Sequence, residues 1–310
     1  MWLYNFGLSL YAFAIALVSP WHRKAKRWRD GRKHLLQRMA EAIDPSEPIV
    51  WVHVASLGEF EQGRPIIEKI RLEHPRYKIL LTFFSPSGYE IRKDYPGADY
   101  IFYLPIDTPR NARRFLDIVR PEIAIFVKYE FWINLLTGLR RRGIRTYIVS
   151  AIFRRNSVFF RQWGGLWRQA LETFDTLFVQ NEESRILLGK LGFDNVVVAG
   201  DTRFDRVAQI AANAKRIELV ERFRGGERLF VAGSTWGPDE ELLIELMNAN
   251  PGIKFVVAPH EMDESRIARL IGETRGGAVR YTRCTDSTVL DDKQLLILDT
   301  VGILASVYGY

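Results

Sequence analysis

The sequence predicts an α/β protein of two doubly wound domains, and three observations carry that prediction. Short apolar runs alternate with helical stretches from Ile49 onward. Most of these runs are apolar at every position, not at every second one. The alternation then restarts near Leu229, after a charged stretch that ends in Gly225-Gly226. Strands buried on both faces of a parallel sheet need continuous apolar runs, and right-handed crossovers between them need the intervening helices. At 310 residues, 47% of them hydrophobic, the chain is long enough for about two cores.

The first element is MWLYNFGLSLYAFAIALVS, residues 1–19, which carries no charged side chain. About 20 apolar residues span a bilayer as a helix, so residues 1–20 are expected to be a membrane anchor. The basic segment 21–48 follows. Between Trp21 and His34, seven lysines and arginines face only Asp30, against a formal net charge of +7 for the whole chain. A cleavable leader has its charges before the apolar core, whereas these come after it. The positive-inside tendency then leaves the body of the protein on the cytoplasmic face of the membrane, held near its lipids by the basic flank. Because the excess charge sits in this one flank, nucleic acid is not an expected partner. Cys284 is the only cysteine, so no internal disulfide forms. The histidines at 22, 34, 53, 74 and 260 show no metal-ligand spacing, and no metal is expected.

In the first domain, 49–205, strands are expected at 49–55, 78–84, 100–105, 122–129, 145–151, 176–180 and 195–201. Helices such as 61–73, 109–120, 131–142 and 181–191 lie between them. Residues 206–228 read as a linker. The second domain, 229–310, has expected strands at 229–234, 254–259, 278–282 and 295–299, with helices from Pro238 and Asp263. That makes about four strands where a nucleotide-binding half has about six, so this domain is expected to be incomplete.

Ligands in open α/β sheets sit at the carboxyl ends of strands. Three turns of small residues fall there: Ser56-Leu57-Gly58-Glu59, Ser85-Pro86-Ser87-Gly88 and Gly233-Ser234-Thr235. Small residues admit a ligand to the backbone, and a following helix N-terminus offers N–H groups to an anion. The third turn suits a nucleotide phosphate but has neither a Walker lysine nor G-x-G-x-x-G, which argues against a P-loop NTPase or a dehydrogenase. Glu59 would repel a phosphate. Two readings stand for it: a general base for a hydroxyl, or a helix-capping carboxylate worth about 0.3–1 kcal/mol.

Taken in order along the chain, these pieces resemble one family. ASLGEF (55–60), TFFSPSG (82–88), YLPID (103–107), EFW (130–132), VSAIF (149–153), VQNEESRILLGKLG (179–192), GDTRFD (200–205), AGSTWGPDEE (231–240), APHE (258–261) and DTVGIL (299–304) together resemble the 3-deoxy-D-manno-octulosonic acid (Kdo) transferases. The resemblance implies a GT-B-type, metal-independent, inverting glycosyltransferase with no cofactor. Such an enzyme moves Kdo from CMP-Kdo to a lipid A precursor. It implies an acceptor-binding first domain with Glu59 as general base and Ser56, Gly58, Ser85, Ser87 and Glu130 at the acceptor. It also implies donor contacts from Arg203, Gly233, Ser234, Thr235, Pro259 and His260. The chain departs from the family pattern at Lys128, where a glutamate is usual, at Ile133, where proline is usual, and at His260-Glu261, where an arginine follows the proline. Family sequences continue past the point matching Tyr310, through a G-G-H-N…E-P element, so the donor site is expected to be incomplete.

Other features have competing readings. Phe160, Trp163, Trp167, Leu171 and Phe174 recur at helical spacing, as either core or a membrane face. The clusters Arg110/Arg113/Arg114, Arg140–Arg142 and Arg154/Arg155 are either solvated helix ends or phosphate contacts. His53 reads as a core residue. Two rival functions remain: another membrane-anchored nucleotide-sugar glycosyltransferase, or a non-catalytic fragment.

Overall fold

The apolar runs of the first unit, Met1–Arg206, form one parallel sheet. In the computed structural model, which describes residues 1–212 and 216–310, its strands are β1 (Ile49–Val54), β2 (Lys78–Phe83), β3 (Tyr100–Tyr103), β4 (Ile123–Val127), β5 (Arg145–Ala151), β6 (Thr176–Val179) and β7 (Val196–Val198). Their order across the sheet is β3-β2-β1-β4-β5-β6-β7. Every residue of β1 is buried. Trp51 lies in an apolar layer with Phe115, Phe126 and Leu135, while Val50, Val52 and Val54 join Phe60, Ile67 and Leu81 in another. A strand covered on both sides has no solvent position to fill, so its sequence shows no alternation. Full burial of each large side chain contributes about 1.5–3 kcal/mol.

Helices α1 (Trp2–Val18), α2 (Arg23–Asp30) and α3 (Leu35–Ala42) precede the sheet. Between and after its strands run α4 (Leu57–Glu73), α5 (Pro86–Arg92), α6 (Pro109–Val119), α7 (Ile133–Arg141), α8 (Gly165–Leu171), α9 (Glu182–Gly189) and α10 (Arg203–Ala212). Helix α6 shows the local logic. Thr108 caps it by accepting from the Asn111 N–H at 3.3 Å, and Pro109 occupies its first turn. Ala112, Phe115, Leu116 and Val119, three or four residues apart, form its buried face. The chain leaves the helix through Arg120 in the left-handed conformation.

The expected membrane-spanning anchor is corrected. Among the described residues no helix is long and apolar enough to cross a membrane. Helix α1 has 17 residues, and at about 1.5 Å each it falls short of the ~30 Å hydrocarbon core. It lies instead against the first unit. The Tyr4 hydroxyl donates to Asp107 Oδ2 at 2.7 Å, Asn134 Nδ2 donates to Asn5 Oδ1 at 2.9 Å, and Tyr11 meets Trp28 edge-on. The opposite stripe, Trp2, Leu3, Phe6, Leu10, Phe13 and Leu17, is exposed. In α2 and α3, Trp28, Leu35 and Met39 are buried, so the basic segment is folded onto the unit as well.

The second unit, Val207–Tyr310, holds a parallel sheet of β8 (Leu229–Thr235), β9 (Lys254–Pro259), β10 (Ala278–Arg280) and β11 (Leu295–Ile297) in the order β10-β11-β9-β8. Helices α11 (Glu218–Arg224), α12 (Gly237–Ala249), α13 (Glu264–Glu273) and α14 (Leu304–Val307) accompany it. Phe255, Val257, Leu295 and Ile297 meet Leu243, Met247, Ile267 and Leu270 in one layer, and Val256, Leu296 and Leu298 meet Val220 and Phe223 in the other. The expected linker 206–228 therefore contains α11, whose Val220 and Phe223 are core. Its residues 213–215 lie outside the described residues.

Candidate functional site

The order of the first sheet reverses between β1 and β4, and such a switch point is where α/β sheets open a crevice for ligands. Glu59 stands there. Ser56 holds the N-cap position of α4 in an extended conformation without a side-chain bond to the helix N–H groups, and Glu59 falls in that helix's first turn. The Ser56 hydroxyl donates to Glu59 Oε2. Glu59 is half-buried, so its carboxylate is held in place and still open to a ligand.

The Ser85 turn adjoins it. The Ser85 N–H donates to the Ala55 carbonyl at 2.7 Å, and Ser85 Oγ accepts from the Ser87 N–H while lying 3.0 Å from Ser87 Oγ. Gly88 makes the approach possible, since a Cβ there would meet the Ser56 carbonyl carbon at 2.9 Å as well as the Phe83 ring. Ser56, Gly58, Glu59, Ser85 and Ser87 therefore share one edge of the sheet.

Glu130, expected at the acceptor, belongs to the loop after β4 and is half-buried. Its Oε2 lies 2.9 Å from His53 Nε2 and accepts from Trp132 Nε1 at 2.8 Å. His53 Nδ1 lies 2.9 Å from Thr82 Oγ1 and 3.1 Å from the Thr82 carbonyl. Which ring nitrogen carries the proton decides whether His53 donates to Glu130 or to Thr82. His53 is wholly buried, as its position in the strand suggests, but it also bridges β2, β1 and the β4 loop. Lys128 adopts the left-handed conformation (φ 71°) with its N–H on the Val149 carbonyl, so the β4 loop turns sharply at this point.

Arg203 joins the same unit. It donates to Asp201 Oδ2 from Nε at 2.9 Å and from Nη2 at 2.6 Å, while Gln62 Nε2 donates to Asp201 Oδ1 at 2.9 Å. Burial alone would raise the Asp201 carboxyl. The hydrogen bonds from Arg203 and Gln62 outweigh it and hold the pKa at about 2. Thr202 closes the arrangement by donating to the Gln62 carbonyl at 2.6 Å. The Gly200–Asp205 segment is thereby fastened to α4, one turn beyond Glu59.

The remaining expected donor residues lie in the second unit. Gly233, Ser234 and Thr235 end β8, and Pro259 ends β9 with His260 next in the chain. Thr235 pairs with Pro259, and the His260 N–H donates to the Thr235 carbonyl at 2.9 Å. Ser234 is exposed and left-handed (φ 57°). Thr235 is only 4% exposed, and its hydroxyl donates to Glu240 Oε1 at 3.0 Å. Arg266 in turn donates to Glu240 Oε1 at 2.6 Å and to the Thr235 carbonyl at 3.1 Å. Thr235 thus braces the turn through Glu240. The N-terminus of α12 is also engaged, because Asp239 accepts from the Trp236 N–H at 2.8 Å. What stays open is the Ser234 turn and an exposed ring pair, Trp236 over His260 with centroids 4.5 Å apart. Leu304 and Tyr308 of the C-terminal segment lie directly over Gly233, where any side chain would collide with them.

Sequence reading passed over Arg266 and Trp236. The AGSTWGPDEE run and the acidic first turn of α12 were the available signals. Among the described residues no group of three or more His, Cys, Asp or Glu side chains is placed to hold a metal ion. Residues 157–174 do not form one helix. Leu171 and Phe174 are core, while Trp163 is 72% exposed. Arg140 pairs with Glu172 and Arg142 with Asp117, each at 2.6 Å, and Arg155 approaches Glu183 at 3.8 Å.

A family model described as 3-deoxy-D-manno-octulosonic-acid transferase (kdotransferase) matches residues 26–206. The chain is 24% identical over 308 residues to a bifunctional glycosyltransferase/methyltransferase of Fusobacterium nucleatum, covering 97% of this chain and 48% of that protein. It is 23% identical over 292 residues to the 3-deoxy-D-manno-octulosonic acid transferase of Haemophilus influenzae (88% and 67% covered). The corresponding Aquifex aeolicus transferase is 25% identical over 274 residues (86% and 69% covered). The chain thus spans about half of the first relative and about two thirds of the other two. Among solved structures, it is similar to a UDP-GlcNAc 2-epimerase from Neisseria meningitidis bound to UDP-GlcNAc (TM-score 0.56, 13% identity, 84% of this chain and 74% of that one). It is also similar to Acinetobacter baumannii MurG (TM-score 0.51, 10% identity, 84% and 68% covered). At such identities these structures speak for the fold alone, an α/β fold of the GT-B kind with parallel sheets.

Proposed function

Because the chain belongs to the 3-deoxy-D-manno-octulosonic-acid (Kdo) transferase family, we propose that it serves lipopolysaccharide synthesis by transferring Kdo from CMP-Kdo to a lipid A precursor. The observation that carries this reading is Glu59, held by the Ser56 hydroxyl at the switch point of the first sheet. In this reading Glu59 accepts the proton of the acceptor hydroxyl as its oxygen attacks the anomeric carbon of Kdo. The bond to the CMP phosphate breaks on the opposite side, and the configuration inverts. Ser56, Gly58, Ser85 and Ser87 border the acceptor. Glu130 and His53 keep the β4 loop in position beside the Glu59 turn, and Asp201 with Arg203 steadies α4 behind it. In the second unit the Ser234 turn receives the CMP phosphate, and the exposed Trp236–His260 face receives the base. No metal or cofactor takes part.

The same reading places the protein at a membrane surface, on the cytoplasmic face of the bacterial inner membrane. Helix α1 lies flat there with its outer apolar stripe in the lipid, and the basic face of α2 meets anionic headgroups. The stripe of six large exposed apolar residues supports this, since soluble surfaces seldom keep such a contiguous patch uncovered.

The test is Kdo transfer from CMP-Kdo to a tetra-acylated lipid A precursor in membranes, followed by mass spectrometry of the lipid. Wild type is expected to yield a Kdo-bearing product, and Glu59→Gln is expected to lose about 10²-fold or more in rate. Near-normal turnover by Glu59→Gln would overturn the base assignment. Transfer from another nucleotide sugar with CMP-Kdo untouched would favour a different glycosyltransferase.

A further inference from the structure

Three arginines of the first unit stand together without a counter-charge. Arg110 and Arg113 on α6 and Arg141 on α7 line one cavity of about 640 Å³, with Arg142, Asn5, Asn134 and Thr137 among its other walls. No carboxylate lines it. Arg142 is neutralised by Asp117 at 2.6 Å. Among the described residues, Arg110, Arg113 and Arg141 make no ion pair or side-chain hydrogen bond.

All three side chains are exposed, so water screens their repulsion, but nothing of opposite charge lines the cavity. Arg110 lies in the first turn of α6 and Arg113 in the next, at the end where the helix dipole is positive. No acidic residue offsets them in that first turn. Like charges gathered around one concavity repel one another, and a bound anion relieves both terms. Guanidinium forks match the oxygens of a phosphate, with which they form short charge-assisted hydrogen bonds. The walls are firmly built. Asn134 Nδ2 donates to Asn5 Oδ1, the Asn134 N–H donates to Asp107 Oδ2, and Thr137 Oγ1 donates to the Ile133 carbonyl.

One wall comes from the first turn of α1, whose neighbouring Trp2, Leu3 and Phe6 face outward and exposed. An apolar surface and a basic cavity thus adjoin at this end of α1, the pairing that an amphiphile with an anionic headgroup matches. We propose that this cavity is a binding site for a phosphomonoester, the phosphorylated headgroup of a membrane lipid, held by Arg110, Arg113 and Arg141. The inference rests on the lipid-acceptor reading only for the source of the phosphate, and its test requires no sugar transfer.

The full chain is titrated with glycerol 3-phosphate by calorimetry. It is also floated with phosphatidylcholine vesicles with and without phosphatidic acid. The triple variant Arg110→Gln/Arg113→Gln/Arg141→Gln is compared with Arg154→Gln/Arg155→Gln, which removes positive charge elsewhere on the surface. The triple variant is expected to lose about tenfold or more in both the glycerol 3-phosphate and the phosphatidic-acid arms, while the control double variant keeps both. Loss confined to glycerol 3-phosphate would uphold the site and assign it to a soluble phosphomonoester. Equal binding by wild type and the triple variant would overturn the proposal, as would an equal fall in the control. If these binding results stand while no Kdo transfer occurs, the transferase reading alone is in error.

Discussion

Nε2 of His53 lies 2.9 Å from Oε2 of Glu130, tying the end of β1 to the loop after β4, where the strand order of the sheet reverses. His53 is wholly buried and Glu130 nearly so, so each is a costly partner for the other to lose. His53→Leu is expected to destabilise the chain by about 2–3 kcal/mol, chiefly by leaving Glu130 under-satisfied. Combined with Glu130→Gln in a double-mutant cycle, it should show a coupling of about 0.5–3 kcal/mol in denaturant unfolding. Strictly additive effects would mean that the contact does not hold the loop.

Gly88 tests whether the two turns at the sheet edge must touch. A Cβ there meets the Ser56 backbone at 2.9 Å, which can yield only if the Glu59 turn shifts. Gly88→Ala is expected to reduce stability by about 1–3 kcal/mol and to lower Kdo transfer by more than that loss explains. Unchanged unfolding and transfer would show that the turn accommodates a methyl group.

Asp107 makes stability depend on pH. Burial raises its carboxyl to about 7, against the downward pull of hydrogen bonds from Tyr4, the Asn134 and Leu135 amides and the Asn134 side chain. The folded value exceeds the ordinary carboxylate value, so the folded chain binds the proton more tightly between about pH 4 and pH 7. Stability from this group is therefore fullest at acid pH and falls as pH rises through about 7. Between about pH 5 and pH 8, wild type should lose about 2–3 kcal/mol more than Asp107→Asn, as read from denaturation midpoints. Equal losses in the two proteins would remove Asp107 from the account. The same carboxyl anchors α1 through Tyr4, whose own phenol is raised by burial and by the Asp107 charge.

The outer face of α1 gives a prediction that separates binding from folding. Trp2 and Phe6 are 75% and 57% exposed. Trp2→Glu/Phe6→Glu should leave unfolding within about 0.5 kcal/mol of wild type. It should also weaken binding to anionic vesicles by about tenfold or more. Retained vesicle binding would show that the stripe does not enter lipid.

The strands were legible in the amino-acid order because burial on both faces leaves a local trace. Ile49–Val54, Lys78–Phe83 and Lys254–Pro259 have almost no solvent positions, and their sequences say so. The Ser56–Glu59 turn was legible for a similar reason, since a small residue, a glycine and a first-turn carboxylate are local requirements. Local pattern reports that a residue is covered, but not what covers it. The apolar run of α1 reads alike whether lipid surrounds it or protein covers one side. Contacts with distant partners, Tyr4 with Asp107, Asn5 with Asn134 and Tyr11 with Trp28, show that protein does. His53 and Glu130 are 77 positions apart, and Gln62 and Asp201 are 139 apart, so topology alone chose those partners. Thr235 looked like an open hydroxyl until folding placed Glu240 and Arg266 behind it. Sequence by itself determined the strands and most of the helices, though not α11, which lies in the stretch that reads as a linker. Tertiary structure decided which polar groups satisfy one another inside the fold and which remain free to meet a ligand.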